Sequence, residues 1–250
     1  MSFGWSLIKD SGFLASTQAS NPTVITNNLV LSLTPSSYSG AGSVWDNPYN
    51  STDATLFNSP TFTSNLGFSF DGTNQFGTIP SVANISDFGN NSTYTVEVWC
   101  YINSSQPDVG APDNSIFEKW NSSNQASYPY VLRFVRASNT VRFAVYNGSS
   151  NPSTNVVVST NIWLQLACTF DHVNKLMVMY VNGSQVDSVA LNLTGFSNSS
   201  TVNLARRANS VGGGTNYFAG KIGIVRIYTS ALSASQITQN FDSNRAMFGI

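Results

Sequence analysis

From Thr23 onwards the chain alternates short apolar runs with clusters of Asn, Gly, Ser and Pro. The runs recur at intervals close to the roughly 8–12 residues typical of a β-sandwich or barrel. This pattern predicts strands at 29–33, 67–70, 76–79, 94–102, 115–119, 130–136, 140–146, 156–159, 163–171, 175–181, 184–191, 202–205 and 218–228. The stretch KLMVMYVNGSQVDSVAL (175–191) reads as a hairpin, because Asn182-Gly183 supplies the two positive-φ residues of a type I′ turn. Its first arm is almost continuously apolar and its second alternates, as expected of a central strand followed by a more exposed neighbour. One helix is predicted, at 234–241. Ser233 and Gln236 form an S-x-x-Q capping box there, and Ile237 and Phe241 make an i,i+4 apolar pair. Residues 1–22 differ: Phe3, Trp5, Leu7, Ile8, Phe13 and Leu14 are scattered among Gly and Ser without a clean period, up to Asn21-Pro22. The pattern gives an N-terminal arm at 1–22 and one all-β domain at 23–250.

Composition changes the picture at the surface. The 250 residues fit one large sandwich, and 41% hydrophobic residues are enough for its core. Charged residues make up only 9%, against roughly 25% in ordinary globular proteins. Asn, Ser and Thr must cover the outside. Such a surface suits sugars, or close packing among copies, since neither needs counter-charge; genome bias accounts for it equally well. A net charge of -1 and scattered basic residues, Arg206-Arg207 apart, argue against nucleic acid. No run approaches the about 20 apolar residues of a membrane span, and the first 20 residues lack a signal-peptide pattern. Ten Asn-x-Ser/Thr sequons reflect the Asn-, Ser- and Thr-rich composition. Cys100 and Cys168 both lie in apolar runs, which fits buried free thiols; a bridge between two strands across the sandwich is the alternative.

The order of several segments resembles laminin-G-like, concanavalin-A-like jelly rolls of the branch common in bacteriophages and other large DNA viruses. NLVLSLTPSSYSGAGSVWDN (28–47) is similar to that family's opening strand and Gly-Trp-Asp turn, and NSPTFTSNLGFSFDGTNQFGTIP (58–80) to its Phe-Asp-Gly strand and turn. YTVEVWCYI (94–102) looks like its Trp-bearing core strand, and 161–186 like its Trp strand and Tyr-Val-Asn-Gly hairpin. The segment 217–250 resembles the closing strand, the Ala-Leu-Ser helix cap and the Phe-Gly terminus of viral members. The resemblance implies a two-sheet antiparallel jelly-roll sandwich with one short C-terminal helix. It makes Trp45, Trp99 and Trp163 framework residues. Two departures remove carboxylates: Thr34 replaces a frequent acid, and Gly223-Ile224 replace a frequent Asp-Glu pair.

Candidate chemistry is sparse. The hydrolase cousins of the fold carry an E-x-D-x-x-E strand, absent here, and the only glutamates are Glu97 and Glu118. Glu97 reads as a paired structural group, and Glu118 as a strand-end ion pair with Lys119. The sole histidine, His172, lies in a turn without a nucleophile motif, and Gly212-Gly213-Gly214 lacks the Lys-Ser/Thr of a phosphate loop. Calcium, which the family often holds in rim loops, would draw on Asp71, Asp108 and Asp113; Asp71 reads equally as a turn-forming residue before Gly72. Sugar binding needs exposed aromatic rings beside planar polar groups. Two clusters offer them: Trp120 with Asn121, Asn124 and Tyr128, and Asn216 with Tyr217. In the alternative, Trp120 caps the core and Tyr217 begins the last strand.

The expected function is a non-catalytic virion structural, decoration or adhesion protein that contacts host-surface glycans. Its arm would bind other virion proteins or a second copy of the chain. A free-standing carbohydrate-binding lectin and a degenerate glycosidase using Glu97 or Glu118 are the alternatives.

Overall fold

The computed structural model describes residues 22–88, 92–108, 111–120, 127–193, 198–207 and 216–250. The aromatic arm residues Phe3, Trp5, Leu7, Ile8, Phe13 and Leu14 lie outside them. The strands in the first half are β1 (Leu29–Leu33), β2 (Val44–Trp45), β3 (Ala54–Phe57), β4 (Thr61–Thr63), β5 (Gly67–Asp71), β6 (Phe76–Ile79), β7 (Tyr94–Ile102) and β8 (Asp113–Glu118). They continue with β9 (Tyr128–Val135), β10 (Thr140–Tyr146), β11 (Ser153–Val157), β12 (Trp163–Asp171), β13 (Leu176–Val181) and β14 (Ser184–Ala190). The last are β15 (Val202–Leu204), β16 (Arg206–Arg207), β17 (Asn216–Tyr217) and β18 (Ala219–Tyr228), before helix α1 (Ala234–Asn244).

Two eight-stranded antiparallel sheets face each other, giving the jelly-roll sandwich. The first runs β14-β13-β12-β7-β18-β5-β4, with β1 also paired to β18; the second runs β11-β10-β9-β8-β15-β6-β3-β2. Strict alternation aims one face of each strand at the core. In β7, Tyr94, Val96, Val98, Cys100 and Ile102 point inward, and in β12 Leu164, Leu166, Cys168 and Phe170 meet them. A bulge between Ile222 and Ile224 switches the inward positions of β18 from Ile222 to Val225 and Ile227.

The outer face of the first sheet is covered by the segment before β1, by α1 and by the C-terminal turn. The helix starts on the expected capping box, with the Ser233 side chain accepting from Gln236 N, and it extends beyond 241 to Asn244. Trp99 and Trp163 belong to this outer layer, under Phe248, whereas Trp45 is in the core between the sheets. Gly223 makes that layer possible: a Cβ there would lie 2.6 Å from Phe248 Cε1. Gly223, one of the two residues that depart from the resembled pattern there, is therefore a packing requirement of the C-terminal turn.

Beneath α1 lies a fully buried carboxylate. Glu97 Oε1 accepts from Trp99 Nε1 (3.0 Å), Gln165 Nε2 (3.0 Å) and Arg226 Nη1 (3.1 Å), while Oε2 accepts from Asn240 Nδ2 (2.8 Å). Asn240 Oδ1 in turn accepts from Ile25 N (2.8 Å), so one network ties the helix, three strands and the segment before β1.

Some expectations hold and others change. Asn182 and Gly183 do adopt positive φ, 50° and 77°, at the expected hairpin. The strands β2, β3, β4, β16 and β17 had no counterpart in the predicted set. Cys100 and Cys168 are buried free thiols on neighbouring strands of the same sheet rather than partners across the sandwich. Cys100 pairs with Leu164 and Cys168 with Val96, an offset of four residues and about 14 Å, far beyond disulfide reach. Glu118 and Lys119 do not pair. Adjacent positions in an extended chain point to opposite sides, so Glu118 meets Arg133 Nε (2.7 Å) while Lys119 Nζ donates to Ser81 Oγ (2.7 Å) and Ser200 O (2.6 Å). Among the described residues, no helix is long and apolar enough to cross a membrane.

Candidate functional site

The outer face of the second sheet is not covered by a helix among the described residues. Because Tyr130, Leu132 and Phe134 of β9 and Val141, Phe143 and Val145 of β10 enter the core, the residues between them turn outward. One cross-strand row therefore reads Ser115, Arg133, Arg142, Asn155 over β8 to β11. An irregularity in the pairing of β9 and β10 sets Tyr128 opposite Tyr146 on this same side.

These strands enclose a hollow of about 210 Å³ lined by Trp120, Tyr128, Arg133, Tyr146, Asn151 and Arg207. The Tyr128 and Tyr146 rings stand 5.5 Å apart at 40°, forming a half-exposed aromatic corner. Tyr128 OH donates to Asn151 Oδ1 (3.1 Å) and Tyr146 OH to Gly148 O (2.7 Å), which fixes both rings. Trp120 is the floor. It is only 7% exposed, packs on Val131 and Ala144, and carries the guanidinium groups of Arg207 and Arg133 at 5.0 and 5.3 Å from its ring.

Two carboxylates hold those guanidiniums in place. Arg133 Nε bonds Glu118 Oε2 (2.7 Å), Arg133 Nη1 lies 3.7 Å from Asp113 Oδ2, and Arg207 Nη1 bonds Asp113 Oδ1 (2.6 Å). Burial works against the Arg133 charge, but Glu118 and Asp113 outweigh it and hold its pKa above the ordinary arginine value. Burial likewise pushes the Tyr128 phenol up, against the opposing pull of Arg133, Arg142 and the Asn151 hydrogen bond.

The sequence candidates divide sharply. Trp120 and Tyr128 line the hollow; Asn121 and Asn124 lie outside the described residues. Trp120 supports arginines instead of presenting a bare ring. Asn216 is fully buried and its amide donates to Ala111 O (3.1 Å) and Asp113 O (2.7 Å), which makes it a strut of the scaffold. Tyr217 is half-buried, 6.2 Å from the Phe76 ring. Neither lines the hollow. Arg133, Tyr146, Asn151 and Arg207 were not among the candidates, although the outward parity of Arg142, Ala144 and Tyr146 is visible in the alternation of β10.

The calcium candidates do not converge. Asp71 Oδ1 accepts from the backbone N–H groups of Thr73 (2.8 Å), Asn74 (3.2 Å) and Gln75 (3.4 Å), an Asx turn. Burial pushes its pKa up, and these bonds together more than reverse that, so the carboxyl sits below its usual value. Asp108 pairs with Arg136 (2.6 Å) and Asp113 with the two arginines of the hollow. Among the described residues, no three Asp, Glu, His or Cys side chains gather into a metal-holding group. The two glutamates are on opposite outer faces of the sandwich, Glu97 under α1 and Glu118 beside Arg133, so the core separates them.

A second opening, of about 500 Å³, lies at the edge of the sandwich by Tyr38, Leu56, Asn58 and Phe68. Two of its polar side chains are engaged locally, Tyr38 OH with Gly42 O and Asn58 Nδ2 with Asn74 O. It presents no charged residue.

Solved structures share this architecture at low sequence identity. The binding domain of Paraclostridial Mosquitocidal Protein 1 superposes with a TM-score of 0.68 at 16% identity, over 86% of this chain and 52% of that one. A botulinum neurotoxin type C structure, whose cell entry depends on interaction with two ganglioside molecules, gives 0.66 at 18% identity, over 87% and 51%. A Trypanosoma rangeli sialidase mutant displaying trans-sialidase activity gives 0.66 at 16% identity, over 91% and 34%. The chain thus spans about half of the toxin chains and about a third of the sialidase, and the likeness is one of fold. No curated protein matches its sequence. A laminin G family model, described as the concanavalin A-like lectin/glucanases superfamily, matches residues 71–238. With that match over two lectin-like sheets, the chain belongs to the concanavalin A-like lectin/glucanases superfamily.

Proposed function

We propose that this domain is a non-catalytic carbohydrate-binding module whose site is the hollow on the outer face of the second sheet. The observation that carries the reading is the corner of Tyr128 and Tyr146 beside Asn151, Arg133 and Arg207. Rings of this kind pack on the apolar face of a pyranose, while planar amide and guanidinium groups fix its hydroxyls. A volume of about 210 Å³ is below that of drug-sized pockets, roughly 300–1,000 Å³. One terminal sugar enters, and the rest of a glycan stays in solvent. Asp113 and Glu118, the carboxylates at hand, are engaged in ion pairs with arginines, which supports binding over hydrolysis. The ganglioside-dependent toxin among its structural neighbours lends the reading a fold-level analogy.

The setting we propose is a virion surface, where the domain would act in decoration or adhesion; the support is the viral resemblance of its motifs. In that setting residues 1–22 dock onto other virion proteins or a second copy. Deleting residues 1–20 then leaves a folded domain that no longer assembles, and an unchanged solution mass contradicts the role of the arm. The binding site itself is tested by probing the full chain on a glycan array beside Tyr146→Ala. Saturable binding that the substitution abolishes is expected. A signal of equal strength from both proteins places binding elsewhere.

A further inference from the structure

The charges around the hollow are uneven. A chain with eleven basic and twelve acidic residues gathers Arg133 and Arg142 of the second sheet, and Arg207 of the β16–β17 ribbon beside it, with two carboxylates, Asp113 and Glu118. The region therefore carries one net positive charge, while the whole chain carries -1.

The guanidinium donors are also incompletely used. Arg133 is 8% exposed, yet its Nη2 has no hydrogen-bond partner. Arg207 Nε and Arg142 Nε are buried and equally unpartnered. Buried donors are almost always bonded, and an unmade bond to a charged group is among the most costly. Two of these donors, Arg133 Nη2 and Arg207 Nε, belong to residues that line the hollow, and both lack an acceptor oxygen. Trp120 beneath and the two carboxylates beside them hold the Arg133 and Arg207 forks in fixed planes, so orientation is settled before any ligand arrives.

We propose that the hollow selects a sugar bearing an anionic group, a carboxylate or a sulfate ester, and that Arg133 and Arg207 receive that group while Tyr128 and Tyr146 pack on the ring. This rests on the carbohydrate-binding reading above and names its ligand class. An anionic oxygen suits these donors better than a hydroxyl, because charge-assisted bonds to a planar guanidinium are shorter and about twice as strong. Arg142, one strand away in the same row, adds attraction without contact.

The test is titration calorimetry of the full chain with three probes: 3′-sialyllactose, 6′-sulfated lactose and unmodified lactose. At least one anionic probe should bind about tenfold tighter than lactose, a preference that shrinks in 0.5 M salt; the probe that wins identifies the group. Arg207→Gln should bring the anionic probe down to the lactose level. Arg142→Gln, which breaks no ion pair among the described residues, should cut it several-fold and serves if the first variant does not fold. Equal affinity for all three probes overturns the inference and leaves the carbohydrate reading intact. No binding of any of them overturns both.

Discussion

Replacing Glu97 by Gln tests whether the buried network under α1 holds the C-terminal layer on the first sheet. The carboxylate is fully buried and accepts three donors on Oε1 and one on Oε2. An amide keeps the shape but offers one oxygen. If that oxygen stays toward Trp99, Gln165 and Arg226, the new NH₂ confronts Asn240 Nδ2. Asn240 cannot simply flip, because its oxygen already accepts from Ile25 N and its amide donates to Tyr228 OH (2.8 Å). Breaking a buried ion pair by removing one partner costs about 3–5 kcal/mol. Arg226 keeps Asn244 Oδ1 (2.9 Å), which argues for the lower part of that range. A loss of about 3 kcal/mol is expected at pH 7, or roughly 6–12 °C in Tm for a domain of this size. Guanidinium denaturation followed by tryptophan fluorescence measures it. The cycle is closed with Glu97→Leu, Arg226→Met and their double mutant. The double mutant should be more stable than the two single losses predict, by about 2–3 kcal/mol. A cost below about 1 kcal/mol for Glu97→Gln, or strict additivity in the cycle, refutes the assignment of this network as a structural clamp.

Three further outcomes follow from the packing and the buried charge. Burial lowers the Lys119 pKa to about 8, with Asp87 opposing, against about 10.4 in an unfolded chain. The folded state then releases its proton first, so stability rises as the pH climbs from about 8 toward 10.4, and wild type should gain about 2 kcal/mol on Lys119→Met between pH 7 and 9.5; a constant difference in denaturation midpoints speaks against it. Gly223→Ala should cost about 1–3 kcal/mol, because its Cβ strikes Phe248, and should expose Trp99 to acrylamide quenching; wild-type quenching contradicts the contact. Ser233→Ala should cost about 1 kcal/mol by opening the capping box of α1, read from the denaturation midpoint.

Strong local rules were legible in the sequence. The strand Trp163–Asp171 coincides with its apolar run, and the Asn182-Gly183 turn and the Ser233 cap adopt the geometry their residue types demand. The strands β2 and β4 escaped notice because a pair such as Val44–Trp45 and a triplet such as Thr61–Thr63 carry too few residues to show a period. Layering was hidden too. Trp99 and Trp163 alternate as surface residues of β7 and β12 do, and the return of Phe248 over that face, with Phe241 of α1 against Trp99, buries them. The site was half visible: Trp120 and Tyr128 are close in sequence, whereas Arg133, Tyr146, Asn151 and Arg207 come together through strand register. Neighbouring residues also mislead. Arg206 lies over the Phe76 ring, while Arg207 reaches Asp113 and Trp120, so the basic pair divides between two environments.

The central claim is that the outer face of the second sheet binds a sugar, and amide and side-chain chemical-shift mapping of the full chain titrated with 3′-sialyllactose tests it most directly. The account predicts saturable shifts gathered at Tyr128, Arg133, Tyr146, Asn151 and Arg207. Shifts gathered instead around Tyr38, Asn58 and Phe68 at the edge opening contradict it.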